Sequence, residues 1–431
     1  MNSSTFDRLS GKGRSAAGSN SFARAMADSV ALVRAPQALP SSRLAVEPGS
    51  AFRLRVPPSL RRPTRKKTNT LSATYHELRN NIMHAVLTYG PGDMRYEEIE
   101  TPKPGPGEVL VKVARVGMGI NDPTIAEGHW PTRSDRPTVA GHEFAGVAVA
   151  LGKGAERHHG IASGDRVLAE QVAFCRACFY CRRGWYHLCE RPQLFGLNLD
   201  GGWADYMIFP ENSIVHRLPA EISDGAAIAL ESTSCGIYTV ERGGLRMGET
   251  VVVLGGGFLG LIMVQVCTIM GAGLVVYCED DDHRLQVGSS LGAHVTLSLR
   301  RDDVVAEVRR LTGGLGCDLV VDHGQTEAIE LGSRMLRKRG RFVVGAAYAS
   351  TNAPKIEFGA ICNQNELTFI GRTMSGGADA ACFARAIEYV RRGAIKLDPV
   401  VTHNLPLADF QRALDISRRR IEHAIKVSMT P

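Results

Sequence analysis

The sequence predicts an α/β chain in which a compact, partly open β-barrel is followed by a doubly wound parallel sheet. Three observations carry that prediction. From Met83 onward, short β-like runs are broken by Gly and Pro. Thr250-Val-Val-Val-Leu254 then runs into a glycine turn and an apolar helical stretch, and strands and helices alternate from there. Between the two regions stand four cysteines, Cys175, Cys178, Cys181 and Cys189, at C-x2-C-x2-C-x7-C spacing.

A chain of 431 residues with 44 % hydrophobic content has room for two ordinary domains with real cores. The net charge of +7 is misleading. Residues 1–82 hold 14 Lys/Arg against 4 Asp/Glu, so the remainder is mildly acidic. That balance argues against a nucleic-acid surface. No charge-free apolar run reaches the length of a membrane span. Residues 1–82 are rich in Ser, Ala, Arg and Pro and end in a basic cluster, Arg61-Arg62-Pro-Thr-Arg65-Lys66-Lys67. The composition predicts a disordered basic extension. It reads as an over-long start ahead of Met83, with a functional tail or an organelle transit peptide as the other readings.

The barrel expectation rests on Val109–Val116 and Phe144–Ala150 as strands and Gly164-Asp-Arg-Val-Leu168 as a turn entering another. Gly141-His142-Glu143 lies between two of these runs. A lone His is most often structural, but this one has company. Glu231 sits in an otherwise apolar helix-like segment, Ala229-Leu-Glu-Ser-Thr-Ser-Cys235. A carboxylate there is costly unless paired or metal-bound. The bland reading of Glu231 is a charge at a helix N-terminus.

The four cysteines fit a closed, structural zinc. Thiolates on tight turns supply a tetrahedral set, and with all four places filled no position is open to substrate. Incidental cysteines or two disulfides are the competing readings, and the chain reads as cytoplasmic. The other six, Cys235, Cys267, Cys278, Cys317, Cys362 and Cys382, read as buried thiols.

In the second region Gly255-Gly-Gly257-Phe258-Leu259-Gly260 has a strand before it and a helix after it. Glycines there permit the turn and let backbone approach a pyrophosphate, which meets the helix N-terminus. The strand Leu274–Cys278 ends at Glu279, 19 residues beyond Gly260. An acid there accepts hydrogen bonds from ribose hydroxyls and repels a 2′-phosphate, which points to NAD(H) rather than NADP. The neighbouring Asp280-Asp281-Asp282 makes a phosphate less welcome still. Gly255, Gly257, Phe258, Leu259, Gly260, Glu279 and Arg284 form the expected cofactor set. His294–Leu297, Asp318–Asp322, Arg341–Gly345 and Leu367–Gly371 continue the alternation as strands, with helices over Asp303–Leu311 and Glu327–Arg337. After about Ala378 one more helix, a break at Pro399 and a closing strand, Ala424–Ser428, are expected.

Residues 83–431 resemble the zinc-containing medium-chain alcohol and polyol dehydrogenases, which include sorbitol, threonine and erythritol-type enzymes. The four-cysteine lobe, Gly-His-Glu, the glycine turn and Gly-Asp-Arg-Val occur in that family's order. The resemblance implies a barrel catalytic domain over 83–235, a Rossmann domain over 236–375 and a segment over 376–431 returning to the first. It implies a homo-oligomer, dimer or tetramer, and a second, catalytic zinc held by a cysteine, the His and a Cys or Glu. The last two map to His142 and Glu231. The cysteine's usual stretch reads Val116-Gly-Met-Gly119-Ile-Asn121-Asp122 here. Gly119 stands at the cysteine position and Asn121 at that of the hydroxyl that relays the substrate's proton, while Asp122, His142 and Glu143 remain. Zinc could rest on His142, Glu231, Glu143 and water. The expected activity is therefore NAD(H)-linked interconversion of a secondary alcohol (a polyol, a cyclitol or a similar small molecule) and a ketone. A zinc-independent NAD(P)H carbonyl or enone reductase, or a cofactor-binding relative without turnover, are the alternatives.

Overall fold

The computed structural model describes residues 81–431 except 120, 131–132, 134, 324–327, 346–357 and 375–380. The expectations for the N-terminal extension fall almost wholly outside the described residues. The first half contains β1 (Ile82–Gly90), β2 (Asp93–Glu100), β3 (Val109–Gly117), α1 (Asp122–Ala126), β4 (Thr138–Val139), β5 (Glu143–Leu151), β6 (Arg166–Ala169), β7 (Val172–Ala173), β8 (Gln193–Leu194), β9 (Tyr206–Phe209) and β10 (Val215–Arg217). β3 is its hub. Its β-branched residues Val109, Val111, Val113 and Val116 are buried, and it pairs antiparallel with both β5 and β9. The β1–β2 hairpin closes over this sheet, with Val86 N–H donating to the Trp203 carbonyl.

α2 (Leu230–Arg242) leads to the second half. There β11 (Thr250–Leu254), α3 (Phe258–Ile269), β12 (Leu274–Glu279), α4 (Asp282–Ser290), β13 (Val295–Ser298), α5 (Val304–Leu311), β14 (Cys317–Asp322), α6 (Ala328–Met335), β15 (Leu336–Val344) and β16 (Thr368–Gly371) alternate. The strands form a six-stranded parallel sheet in the order β13-β12-β11-β14-β15-β16. β11, β12 and β14 are apolar runs because helices cover both faces of the sheet.

The chain ends with α7 (Cys382–Arg391), β17 (Val401–Pro406), α8 (Phe410–Arg419) and β18 (Lys426–Thr430). β18 pairs with β17 and, at Ser428 and Met429, with Gly117 and Val116 of β3. The last residues therefore sit beside the Gly119 stretch.

Several boundaries differ from the expected ones; the strand expected from Arg341, for one, starts at Leu336. The helix expected to reach Arg337 ends at Met335, because Leu336 already pairs with Cys317 and Arg337 is drawn to Asp318 by a 2.6 Å hydrogen bond. Among the described residues the tail holds two strands and two α-helices rather than one of each after Ala378. The additional helix α8 turns Phe410, Ala413, Leu414 and Ile416 toward the core at helical spacing, with polar and charged residues on its other face. The closing strand starts at Lys426 rather than Ala424, since Glu422 and His423 are held at positive φ and Ala424 gives its carbonyl to Arg284.

Candidate active site and metal centres

The four lobe cysteines converge. Their sulfurs lie within 4.8 Å of one another, with Cys175 Sγ and Cys181 Sγ 3.9 Å apart. Sulfurs on a tetrahedral zinc stand about 3.8 Å apart when each zinc–sulfur bond is 2.3 Å. Backbone N–H groups already point at the sulfurs. Cys178 donates to Cys175, Cys181 to Cys178, and both Cys175 and Arg191 to Cys189, each at 3.4 Å. The backbone N–H groups of Ala177 and Cys178 bring the Cys175 thiol down to about 6. All ten cysteines are free, and the six outside the lobe are buried. The set fits a zinc. Beneath it Phe174 stacks on Tyr186, ring centres 4.0 Å apart.

The second cluster is built by elements far apart in sequence. His142 and Glu143 enter β5, Asp122 opens α1, Glu231 lies in the first turn of α2, and Lys426 opens β18. Gly141 has φ +88°, and a Cβ there would meet Trp203 Cδ1 at 1.9 Å, so the triplet needs its glycine. His142, Glu143 and Glu231 are all buried, and their ligand-capable atoms lie within 4.8 Å of one another. Asp122 Oδ1 is 3.1 Å from His142 Nδ1, and its other oxygen accepts from Gly119 N–H at 2.7 Å. A carboxylate on Nδ1 fixes the ring and leaves Nε2 for a metal. Burial opposes charge on His142, yet Asp122, Glu143 and Glu231 together outweigh it and raise the imidazole to about 9. Burial raises the Glu231 carboxyl. The donor set fits a metal on His142 Nε2 and Glu231.

Glu143 is less free than the sequence suggests. Lys426 Nζ lies 2.5 Å from each of its oxygens, and Ser232 Oγ donates to Oε1 at 2.6 Å. As a replacement ligand it would have to share its charge with that ammonium. Lys426 and Ser232 were both missed in the sequence. A signal existed for Lys426, a lysine inside the apolar run Ala424-Ile-Lys-Val-Ser. Asn121 caps α1 through its carbonyl, which accepts from Thr124 Oγ1 at 2.8 Å, and its side chain makes no cap bond.

Gly119 is not a hole awaiting a thiolate. An added Cβ there would stand 2.5 Å from both Cε1 and Nε2 of His142, so the imidazole fills the space. Gly119→Cys must push the ring off Asp122. We expect the metal-free variant to lose about 1–3 kcal/mol of stability. Zinc should restore the loss by giving imidazole and thiolate a common partner. Denaturant melts with chelator and with zinc check this, and an unchanged metal-free midpoint would place the imidazole elsewhere.

In the second half, a Cβ on Gly260 would meet the Gly255 carbonyl at 2.0 Å, so helix and turn close only on glycine. Phe258 and Leu259 are buried at the start of α3. Gly257 N–H donates to Glu279 Oε2 at 3.2 Å, Tyr277 OH to the same oxygen at 3.1 Å, and Asp280 N–H to Oε1 at 2.9 Å. Arg284 is buried beside Gly257 and donates to the Ala424 carbonyl at 2.9 Å. Lys426 Nζ lies 5.0 Å from the Phe258 ring centre, so one ammonium lies between the Glu143 carboxylate and the first residue of α3. Asp281 caps α4 and Asp282 pairs with Arg301, which accounts for two of the three aspartates structurally. A cavity of about 510 Å³, lined by Trp185, His187, Tyr238, Arg242 and Arg372 among others, lies toward the far end of α2.

The barrel, the parallel sheet with its glycine turn and the sulfur lobe define the architecture of a zinc-containing, dinucleotide-linked oxidoreductase. Residues 105–220 match the alcohol dehydrogenase GroES-like domain, and residues 259–391 match the zinc-binding dehydrogenase domain. The chain is 33 % identical over 360 residues to an erythritol/L-threitol dehydrogenase of Mycolicibacterium smegmatis, covering 81 % of this chain and 98 % of that one. A zinc-binding dehydrogenase of Sinorhizobium meliloti 1021 bound to NADP superposes with TM-score 0.75 at 26 % identity, covering 81 % and 99 %. An alcohol dehydrogenase of Escherichia coli CFT073 complexed with NADH gives 0.73 at 25 %, covering 81 % and 100 %. The chain belongs to the zinc-type medium-chain alcohol and polyol dehydrogenases.

Proposed function

We propose that the chain is an NAD(H)-dependent dehydrogenase that interconverts a secondary alcohol of a small polyol or cyclitol and the corresponding ketone. The observation that carries this is the buried His142–Asp122 pair beside Glu231, with Lys426 lying between Glu143 and the first residue of α3. When bound, zinc would polarise the substrate oxygen and the nicotinamide would accept hydride. The protein's own part is positioning and charge. Asp122 orients His142. Glu231 offers a carboxylate rather than a thiolate. Lys426 balances Glu143 so that the cluster does not carry an excess of negative charge. Asn121 has no hydroxyl to relay a proton, whereas Ser232, hydrogen-bonded to Glu143 at 2.6 Å and Glu231 at 3.3 Å, places one in the cluster.

The polyol class is supported by the erythritol/threitol relative. NAD(H) is supported by Glu279, whose buried carboxylate faces the turn. β16 ends the parallel sheet, and its outer edge has no strand partner among the described residues, which favours pairing with a second copy. Ten free thiols favour the cytoplasm. No helix among the described residues is long and apolar enough to cross a membrane.

The test is NADH formation by zinc-loaded protein with erythritol, threitol, sorbitol and inositols. His142→Ala should lower kcat/KM by more than about 100-fold, beyond the usual cost of losing an outer hydrogen-bond partner of a ligand. Metal analysis should show two zincs per chain in the wild type and one in the variant. One zinc per wild-type chain with turnover indifferent to His142→Ala would sink the reading.

A further inference from the structure

We infer that Asp280 occupies a ready-made site for an adenosine 2′-phosphate, and that Arg420, brought in by the C-terminal segment, is a determinant of cofactor choice. The inference rests on the reading that Gly255–Gly260 and Glu279 hold a dinucleotide.

Asp280 follows Glu279 at the end of β12. Its Oδ1 accepts from Arg420 Nη1 at 2.5 Å and its Oδ2 faces Arg300 Nη2 at 3.3 Å. Arg420 Nη1 is also 4.0 Å from Glu279 Oε1. Two guanidinium groups from distant segments thus converge on one carboxylate beside the acid expected at the ribose. Guanidinium forks suit carboxylate and phosphate oxygens alike. A 2′-phosphate would project from the ribose next to Glu279, into the region where both guanidinium groups already point. Asp280 fills that place with a fixed negative charge. Asp281 and Asp282 have other principal partners, since one caps α4 and the other pairs with Arg301.

Arg420 is delivered by a shaped loop. Arg420, Glu422 and His423 have φ of +55°, +52° and +59°, values uncommon for residues with a Cβ. The loop is pinned to the nucleotide-binding half by Arg284 Nη2 on the Ala424 carbonyl and by the His283 and His423 rings, 4.8 Å apart. Two of the groups are partly sheltered, with side-chain exposures of 36 % for Arg420 and 31 % for Asp280. Arg300, at 68 %, is the weaker partner. Cofactor choice is therefore divided. Glu279 receives the ribose hydroxyls, and Asp280 cancels two cations that would otherwise welcome the extra phosphate.

The test is direct binding of NADH, NADPH and 2′,5′-ADP by calorimetry to the full chain. Asp280→Ser should tighten NADPH about tenfold or more, the worth of one charge-assisted bond, and leave NADH within about threefold. It should also create measurable 2′,5′-ADP binding. Adding Arg420→Ala should remove most of the gain. NADH binding reports that each variant is folded, and Asp280→Asn, which keeps the side chain's shape, decides in the same way if Asp280→Ser does not hold NADH. Unchanged NADPH affinity with NADH binding intact overturns the inference, as does a gain that survives Arg420→Ala. A wild type that binds neither dinucleotide overturns the underlying assignment instead.

Discussion

Cys178→Ser should release the lobe zinc and lower Tm by roughly 5–10 °C, the shift expected for a loss of about 3 kcal/mol in a domain of this size. The reasoning is local. The lobe packs little more than Phe174, Tyr186 and neighbouring apolar side chains beneath the sulfurs, so the metal supplies most of what holds its turns together. A serine hydroxyl is a poor substitute for a thiolate on zinc. Three sulfurs then remain close together with their N–H donors and no cation to bind. Metal analysis should show one zinc fewer per chain, and protease should cut first between residues 175 and 189. A variant that keeps its zinc and its Tm would show that the four sulfurs do not form the closed site described above.

The parts legible in the sequence share one property, which is short range. The sulfur lobe, Gly-His-Glu and the glycine turn each declare themselves within a few residues, because one loop or one strand–turn–helix unit does the whole job. The apolar runs of β11, β12 and β14 were legible for a related reason, since buried parallel strands need no alternation. What was hidden depends on chain closure. Nothing near Glu143 announces that its cation is Lys426, 283 residues away. Nothing near Asp280 announces Arg420, 140 residues away. The Gly119 stretch shows a missing thiol, but only packing shows that His142 has taken the space.

The second large effect is expected at Lys426. Lys426→Met should cost about 3–5 kcal/mol, the usual result of leaving a buried charge without its partner. Glu143 would then share the pocket with Glu231 and Asp122 against His142 alone. Lys426 is 3 % exposed and Glu143 fully buried, so water cannot replace the ammonium without opening the β18–β3 seam. The double variant Lys426→Met with Glu143→Gln separates charge from packing. Removing both charges together leaves a neutral amide that can still accept from Ser232, so most of the lost stability should return. Denaturant melts of the wild type, both single variants and the double variant give the coupling energy. We expect a coupling of at least about 2 kcal/mol, at the upper end for side chains in direct contact. Additive single effects would mean that Lys426 serves only as packing and does not neutralise Glu143. NADH affinity in the Lys426→Met variant supplies a second readout. A cation beside Phe258, at the N-terminal end of α3, adds to the attraction that helix offers a pyrophosphate, so binding should weaken in the single and double variants alike.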